Sequence, residues 1–254
     1  MTYDVKELVG DIKSKKELSG IMDDLVRDEI ERYLVKNPKL NPDKAKDCKQ
    51  IVKGVRSVLR KSVGVFINPK KSTPLGDLLQ KHESTKERLN IYPELYKRIF
   101  HITGKPKTIL DIGCGLNPLS YSYLGAKPKY YAYDVNSLAI DIVKDFFKIR
   151  KINGKAGLMN LRQKEKLELP SADICFMFKL LDSIELEKGH KLAEKLIKQV
   201  KSRWLTVSFS TRTLSGKKMN HPYRGWIEQL CKRLGYFYDI LEYDNEIFYL
   251  IRKD

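Results

Sequence analysis

The apolar run Thr108–Ile112 breaks onto Gly113-Cys114-Gly115, and Asp134, nineteen residues past Gly115, ends the next such run. A strand that stops on two glycines leads into a sharp turn, because glycine enters the left-handed backbone region without a steric penalty. A carboxylate at the end of the following strand then faces that turn. This is how a parallel sheet gathers its strand ends around a ligand. The remainder of the second half keeps the rhythm. Residues 138–151 predict a helix, 156–159 and 172–178 strands, 185–201 a helix, 204–209 a strand and 223–234 a helix. Residues 237–241 and 247–252 flank Asp244-Asn245 as a terminal hairpin. The pattern predicts an α/β fold, a doubly wound sheet with one antiparallel strand and ligands at the carboxyl ends of its strands.

Before about residue 105 glycine is sparse, charge is dense and the apolar spacing is helical. Residues 5–16 and 21–35 predict amphipathic helices. Asn41-Pro42-Asp43 supplies a cap, a first-turn proline and a first-turn acid for a helix running to about Ser62. Ala45, Cys48, Val52, Val55 and Leu59 form its apolar stripe, and Lys46, Lys49, Lys53, Arg56 and Arg60 repeat beside it. No acid occurs from Cys48 to Gly76, a stretch that also carries Lys61, Lys70 and Lys71. A merely solvated face mixes signs. With 49 Lys and Arg against 32 Asp and Glu, the chain carries +17, which points to a polyanion, nucleic acid above all. We expect an all-helical, basic docking region over residues 1–104 and the sheet domain over 105–254.

Other classes are set aside. An apolar content of 42% supports a packed core. No apolar run approaches the roughly 18 residues of a membrane span, and the N-terminus lacks a signal-peptide core. The four cysteines are scattered, without C-x-x-C or a neighbouring histidine, so neither disulfides nor a metal site is expected. The expectation is a cytoplasmic monomer with no membrane partner.

The glycine turn narrows the chemistry. A dinucleotide site would need a third glycine where Pro118 stands. The D-x-G-x-G form with a strand-end acid is instead that of S-adenosylmethionine-dependent methyltransferases. Enzymes acting on exocyclic amines carry an Asn/Asp-Pro-Pro-aromatic loop, where this chain has Phe178-Lys179-Leu180-Leu181-Asp182. Cys175 lies in an apolar strand and reads as a buried structural thiol. No Cys/His or Ser/His/Asp set is apparent. Guanine N7, which carries an in-plane lone pair and no proton, needs no such set, and positioning can supply the rate.

Four blocks carry a specific resemblance. They are His82-Glu83-Ser84-Thr85-Lys86-Glu87-Arg88-Leu89, the run from Ile109 through Gly113-Cys114-Gly115-Leu116-Asn117-Pro118-Leu119, Phe178-Lys179-Leu180-Leu181, and Val207 through Thr211-Arg212-Thr213-Leu214-Ser215-Gly216. The chain resembles the aminoglycoside-resistance 16S ribosomal RNA guanine-N7 methyltransferases, the Arm/Rmt family. The resemblance implies a Rossmann-like class I methyltransferase sheet, S-adenosyl-L-methionine as cofactor, and a guanine in the decoding-site helix of 16S rRNA, in the 30S subunit, as target. It implies that Phe66 packs against the cofactor, that His82, Glu83, Ser84 and Arg88 reach its methionine end, with Arg88 pairing the carboxylate, and that Gly113 and Asp134 hold its ribose region. Asn160 and Leu161 would border the adenine, with Arg162 as an alternative polar contact, and Leu180 would line the pocket. Lys179 would sit beside the target base, with Arg212 and Met219 holding the flipped guanine and its backbone. Lys46, Lys49, Lys53, Arg56, Arg60, Lys70 and Lys71 would meet RNA. Two departures fall near the target base: Asp182 replaces the family's usual proline, and Ser215-Gly216-Lys217-Lys218-Met219 is shorter than its usual loop.

Plainer readings stand beside these. Arg88 could pair with Glu87 or Glu94, Met219 could fill a gap, and Tyr236-Phe237-Tyr238 reads as strand core rather than a base-stacking platform. His101, His190 and His221 have no companions at ligand spacing. A methyltransferase for another rRNA or tRNA nucleotide and a non-catalytic 30S assembly factor are the rival functions.

Overall fold

The computed structural model describes residues 4–63, 75–81, 83–163, 167–185, 189–213 and 216–253. Phe66, Lys70, Lys71 and His82 lie outside the described residues, as does the side chain of Glu83.

Three helices open the chain: α1 (Val5–Lys13), α2 (Asp23–Lys36) and α3 (Ala45–Ser62). Asp4 caps α1 by accepting the Lys6 N–H at 2.9 Å. The helices share an apolar core of Leu8, Ile12, Ile30, Ile51, Val55 and Leu59, with Ile21 from the α1–α2 connection. The α3 stripe is rotated from the expected one. Cys48, Ile51, Val55 and Leu59 are buried, Ala45 is exposed and Val52 is only partly covered. Both stripes satisfy helical spacing, and the position of α1 and α2 decides between them. The helix also starts later than its cap signal. Asn41 Oδ1 accepts from the Asp43 N–H at 2.8 Å, closing a turn ahead of the helix, and Lys44 takes the cap position.

Next come α4 (Leu75–Lys81), α5 (Glu83–Arg88) and α6 (Tyr92–Thr103), then β1 (Thr108–Ile112), a 3-10 helix (Asn117–Leu124), β2 (Lys129–Asp134), α7 (Ser137–Ile149) and β3 (Gly154–Leu158). The chain continues through β4 (Ala172–Phe178), α8 (Leu181–Ile184), α9 (Lys191–Gln199), β5 (Ser202–Ser210), α10 (Gly225–Leu234), β6 (Phe237–Glu242) and β7 (Glu246–Arg252). The sheet order is β3-β2-β1-β4-β5-β7-β6, parallel except for β7, which runs against both neighbours. The doubly wound topology with one antiparallel strand is therefore present. The order reverses between β1 and β4, the place where sheets of this kind open a ligand crevice above the strand ends. One sheet face packs on α6, the 3-10 helix and α7, and the other on α8, α9 and α10.

Two further expectations change. The helix expected over 185–201 is represented by α9 alone, which starts at Lys191 because Gly189 (φ +105°) and His190 (φ +55°) lie outside the helical region, while the short α8 stands ahead of the expected span. Of Tyr236-Phe237-Tyr238 only Tyr236 packs against the core: Phe237 and Tyr238 are 64% and 37% exposed on β6, an edge strand with a partner on one side only. The apolar cores separate between α3 and α4, earlier than residue 104. Tyr92, Leu95, Tyr96, Ile99 and Phe100 of α6 pack in one cluster with Ile109, Phe176 and Phe248 of the sheet.

The rotated stripe has a measurable consequence. Ile51→Ala is expected to destabilise the protein by roughly 2–5 kcal/mol, because it empties a fully buried site. Val52→Ala should lose less than about 1 kcal/mol. Equal losses in denaturant titrations would restore the sequence-derived stripe.

Candidate functional site

The turn after β1 is built as its glycines require. Gly113 (φ +65°) and Gly115 (φ +48°) are both left-handed. A Cβ on Gly113 would lie 2.4 Å from Leu180 Cδ1, so the end of β4 rests directly on the turn. Gly115 N–H donates to Asp134 Oδ2 at 2.8 Å, and Asn136 N–H donates to Asp134 Oδ1 at 2.9 Å. Burial pushes the Asp134 carboxyl up, while the backbone N–H groups of Gly115, Asn136 and Val135 pull it back. The carboxylate, with about four acceptor sites, keeps capacity for a further donor.

Two residues without an assigned role hold this turn from behind. Asp111 is 1% exposed, and its Oδ2 accepts from Asn117 Nδ2 at 2.8 Å and from the Tyr130 hydroxyl at 2.7 Å. Tyr92 donates to Asn117 Oδ1 at 3.0 Å. Burial pushes Asp111 up to about 6 against these hydrogen bonds. The signal was present in the sequence, as the acid of D-x-G-x-G and the asparagine of G-L-N-P-L.

Beside the crevice lies a buried charge cluster. Arg88 Nε and Nη2 donate to Glu246 Oε2 and Oε1 at 2.8 and 2.7 Å, and both side chains are essentially inaccessible. The guanidinium also covers the Phe178 ring at 4.8 Å and neighbours Tyr92. Burial alone would lower the Arg88 pKa, but the Glu246 charge holds it above its ordinary value. Neither Glu87 nor Glu94 is its partner: Glu87 pairs with Lys179, and Glu94 with Arg98. Lys179, left-handed at φ +52°, also stands 3.9 Å from Glu246 Oε2, and Ser208 Oγ donates to that carboxylate. Only an acid at the start of β7 marks Glu246 in the sequence. Ser84 is partly buried on α5, which is tied to α4 by Thr85 Oγ1 donating to Leu79 O at 2.7 Å.

After β3, Asn160 and Leu161 are buried, and Asn160 Nδ2 donates to Asp28 Oδ2 of α2 at 3.3 Å. Arg162, the alternative contact at this place, is committed to Glu29 and to the Ser183 carbonyl, at 3.1 and 2.9 Å. On the far side, Arg212 pairs with Asp244 and donates to Gly216 O at 3.0 Å. Met219 is partly buried, with Arg224 Nη2 3.9 Å from its sulfur. The same guanidinium reaches Asp182 at 3.0 and 3.2 Å, which gives the acid after F-K-L-L a partner.

The cationic row on α3 is split. Lys46, Lys49 and Lys53 are exposed. Arg56 instead turns onto the end of α1, donating to Ile12 O at 3.2 Å, Ser14 Oγ at 3.0 Å and the Asp11 carbonyl. Arg60 grips Glu17 Oε1 at 2.6 and 3.0 Å. Lys49 and Lys53 border a groove of about 560 Å³ against α1, which Lys15 also lines. All four cysteines are buried, and among the described residues no cluster of three or more His, Cys, Asp or Glu could hold a metal.

The family model for ribosomal RNA methyltransferase (FmrO) matches residues 53–250. A 16S rRNA (guanine(1405)-N(7))-methyltransferase of Serratia marcescens is 30% identical over 220 residues, covering 82% of this chain and 86% of its own length. A Proteus mirabilis protein of the same name is 32% identical over 145 residues, a match to 55% of this chain that spans half of the relative. The fold is shared with the 16S rRNA methyltransferase RmtF, solved in complex with S-adenosyl-L-homocysteine, at a TM-score of 0.81 over the whole of both chains and 23% identity. The family match runs from within α3 into β7 and takes in the glycine turn, Asp134 and the Lys179 corner, and the chain belongs to the ribosomal RNA methyltransferase (FmrO) family.

Proposed function

We propose that this protein transfers a methyl group from S-adenosyl-L-methionine to N7 of a guanine in the decoding-site helix of 16S rRNA within the 30S subunit, a modification that confers aminoglycoside resistance in the family. The observation that carries the reading is the Asp134 carboxylate at the end of β2, held across the glycine turn by the Gly115 N–H. The residues fit the cofactor. Asp134 would take the two ribose hydroxyls, Gly113 would let the ligand approach the backbone, and Leu180 would close over it. Asn160 and Leu161 would border the adenine, and Phe66 would pack against the cofactor. His82, Glu83 and Ser84 would meet the methionine end. Arg88 would serve that end through its pair with Glu246, which joins α5 to β7. When bound, the cofactor supplies an electrophilic methyl group.

The chain's own task is then to position the base. Guanine N7 offers a lone pair and no proton, so no side chain needs to act as a base. Cys114 and Cys175 are buried, and burial raises both thiols well above their ordinary range, which removes them as nucleophiles near neutrality. Lys179 would lie beside the base, and Arg212 and Met219 would hold it once it leaves its stack, a displacement that costs a few kcal/mol. Lys46, Lys49 and Lys53 would neutralise phosphates, joined by Lys70 and Lys71, while Arg56 and Arg60 support the face from beneath.

Mapping by reverse-transcription stops after borohydride and aniline treatment tests the reading directly. The stop should fall at a decoding-site guanine of 30S subunits, and should vanish with Asp134→Ala, which should weaken S-adenosylhomocysteine binding at least about tenfold and spare 30S association. A stop elsewhere, in rRNA or tRNA, would give the chemistry a different target. Reversing Lys46, Lys49 and Lys53 to Glu should lower the slope of log K for 30S binding against log salt by about 2–3, with cofactor affinity unchanged. An unaltered slope would move the docking face off α3. Asp111 supplies a pH test. Its folded pKa of about 6 lies above the ordinary carboxylate value, so its contribution to stability is full below about pH 4 and is lost as the pH rises through 6. Between pH 4 and 7 the wild type should lose about 2–3 kcal/mol relative to Asp111→Asn in paired denaturant titrations. Parallel pH curves would mean that Asp111 is not held against ionisation.

A further inference from the structure

Arg162, with its side chain only 4% exposed, lies where three separately built parts of the molecule meet. Its Nη1 donates to Glu29 Oε2 on α2 at 3.1 Å, and its Nη2 donates to the Ser183 carbonyl in α8 at 2.9 Å. Its backbone N–H donates to Asn160 Oδ1 at 3.0 Å, closing the loop after β3. Glu29 is 5% exposed and has Arg32 as a second cation, 4.0 Å away. A second seam runs alongside. Met22 N–H donates to Val135 O at 3.0 Å and Ser137 N–H to Gly20 O at 2.8 Å, so residues 20–22 lie against the loop that follows Asp134. A Cβ on Gly20 would stand 2.5 Å from Asn136 Oδ1, which shows how closely the seam fits.

We infer that Arg162 is a positioning residue for cofactor binding: through Glu29 and Ser183 it fixes the loop after β3 and α8 to the N-terminal helices, and it does so without contacting the ligand. The inference rests on the function proposed above. Withdrawing two charges from water carries a penalty that their attraction barely offsets, so a buried pair of this kind adds little net stability. What it does supply is register, because a slip of α2 against the loop would leave a buried charge uncompensated. The planar guanidinium reaches two acceptors on different elements at once, which a single ammonium does not reproduce. Asn160 and Leu161 border the loop that Arg162 closes, and Lys179 and Leu180 immediately precede α8. A helix of the docking region is therefore braced against two walls of the crevice.

Calorimetric titration of the full chain with S-adenosylhomocysteine, well below the melting transition, separates Kd from the fraction of binding-competent protein. Arg162→Met should raise Kd about tenfold or more at full stoichiometry, and Arg162→Lys should fall between it and the wild type. Glu29→Leu should raise Kd as well, although residue 29 lies on α2. A purely structural role would lower the melting temperature or the stoichiometry and leave Kd alone. Wild-type Kd at full stoichiometry in Arg162→Met overturns the inference. If that variant does not fold, Glu29→Leu decides in the same way. Absence of binding by the wild type would instead overturn the functional reading, and this inference with it.

Discussion

A backbone N–H aimed at a carboxylate nineteen residues away organises the sheet's carboxyl edge. Gly115 points its N–H at Asp134 only because the turn on either side of Cys114 enters the left-handed region, where a Cβ is unfavourable. The same turn leaves a floor at Gly113 low enough for Leu180 to cross. The reversal of strand order between β1 and β4 keeps a helix from covering that place. Asp111, Asn117, Tyr130 and Tyr92 then hold the turn from the core side by a chain of hydrogen bonds. A side chain at either glycine would disturb the ligand edge and its support together.

Around this turn the protein buries charge to an extent that stability alone does not explain. Arg88 with Glu246 and Arg162 with Glu29 are nearly inaccessible pairs, each bridging elements distant in sequence. Replacing such pairs with apolar side chains is often neutral or stabilising, whereas removing one partner destabilises strongly. Their physical effect is to penalise misplacement. Arg88 fixes α5 to the start of β7, and Arg162 fixes α2 to α8. Both junctions adjoin the segment after β4: Glu246 stands 3.9 Å from Lys179, and Arg162 donates to the Ser183 carbonyl of α8.

The sequence was most legible where local chemistry decides. β1 and β4 have the predicted limits, because apolar runs end on turn residues, and Gly113, Gly115 and Asp134 meet as their spacing implied. It was least legible where a distant partner decides. Nothing near Arg88 names Glu246, 158 residues away, and nothing near Arg162 names Glu29, 133 residues away. The α3 stripe shows the same limit, since Ile51 and Val52 are equally apolar and only the packing of α1 and α2 selects Ile51. Phe237 fails in the other direction. Alternation marks a strand, but exposure depends on whether that strand lies at an edge.

The net charge of +17 acquires its meaning only after the cations are sorted by what they touch. Arg56, Arg60, Arg88, Arg162, Arg212 and Arg224 each donate to an acceptor inside the chain, while Lys46, Lys49 and Lys53 stand exposed on α3. The division follows from the two head groups. A guanidinium is planar, weakly hydrated and able to satisfy two acceptors, so it suits carbonyls and carboxylates within a fold. An ammonium is a strongly hydrated point charge on a flexible stem, and it gathers phosphates without needing fixed geometry. The row of five cations is therefore divided by head group: its arginines hold α3 against α1, and the lysines of the same helix stand exposed.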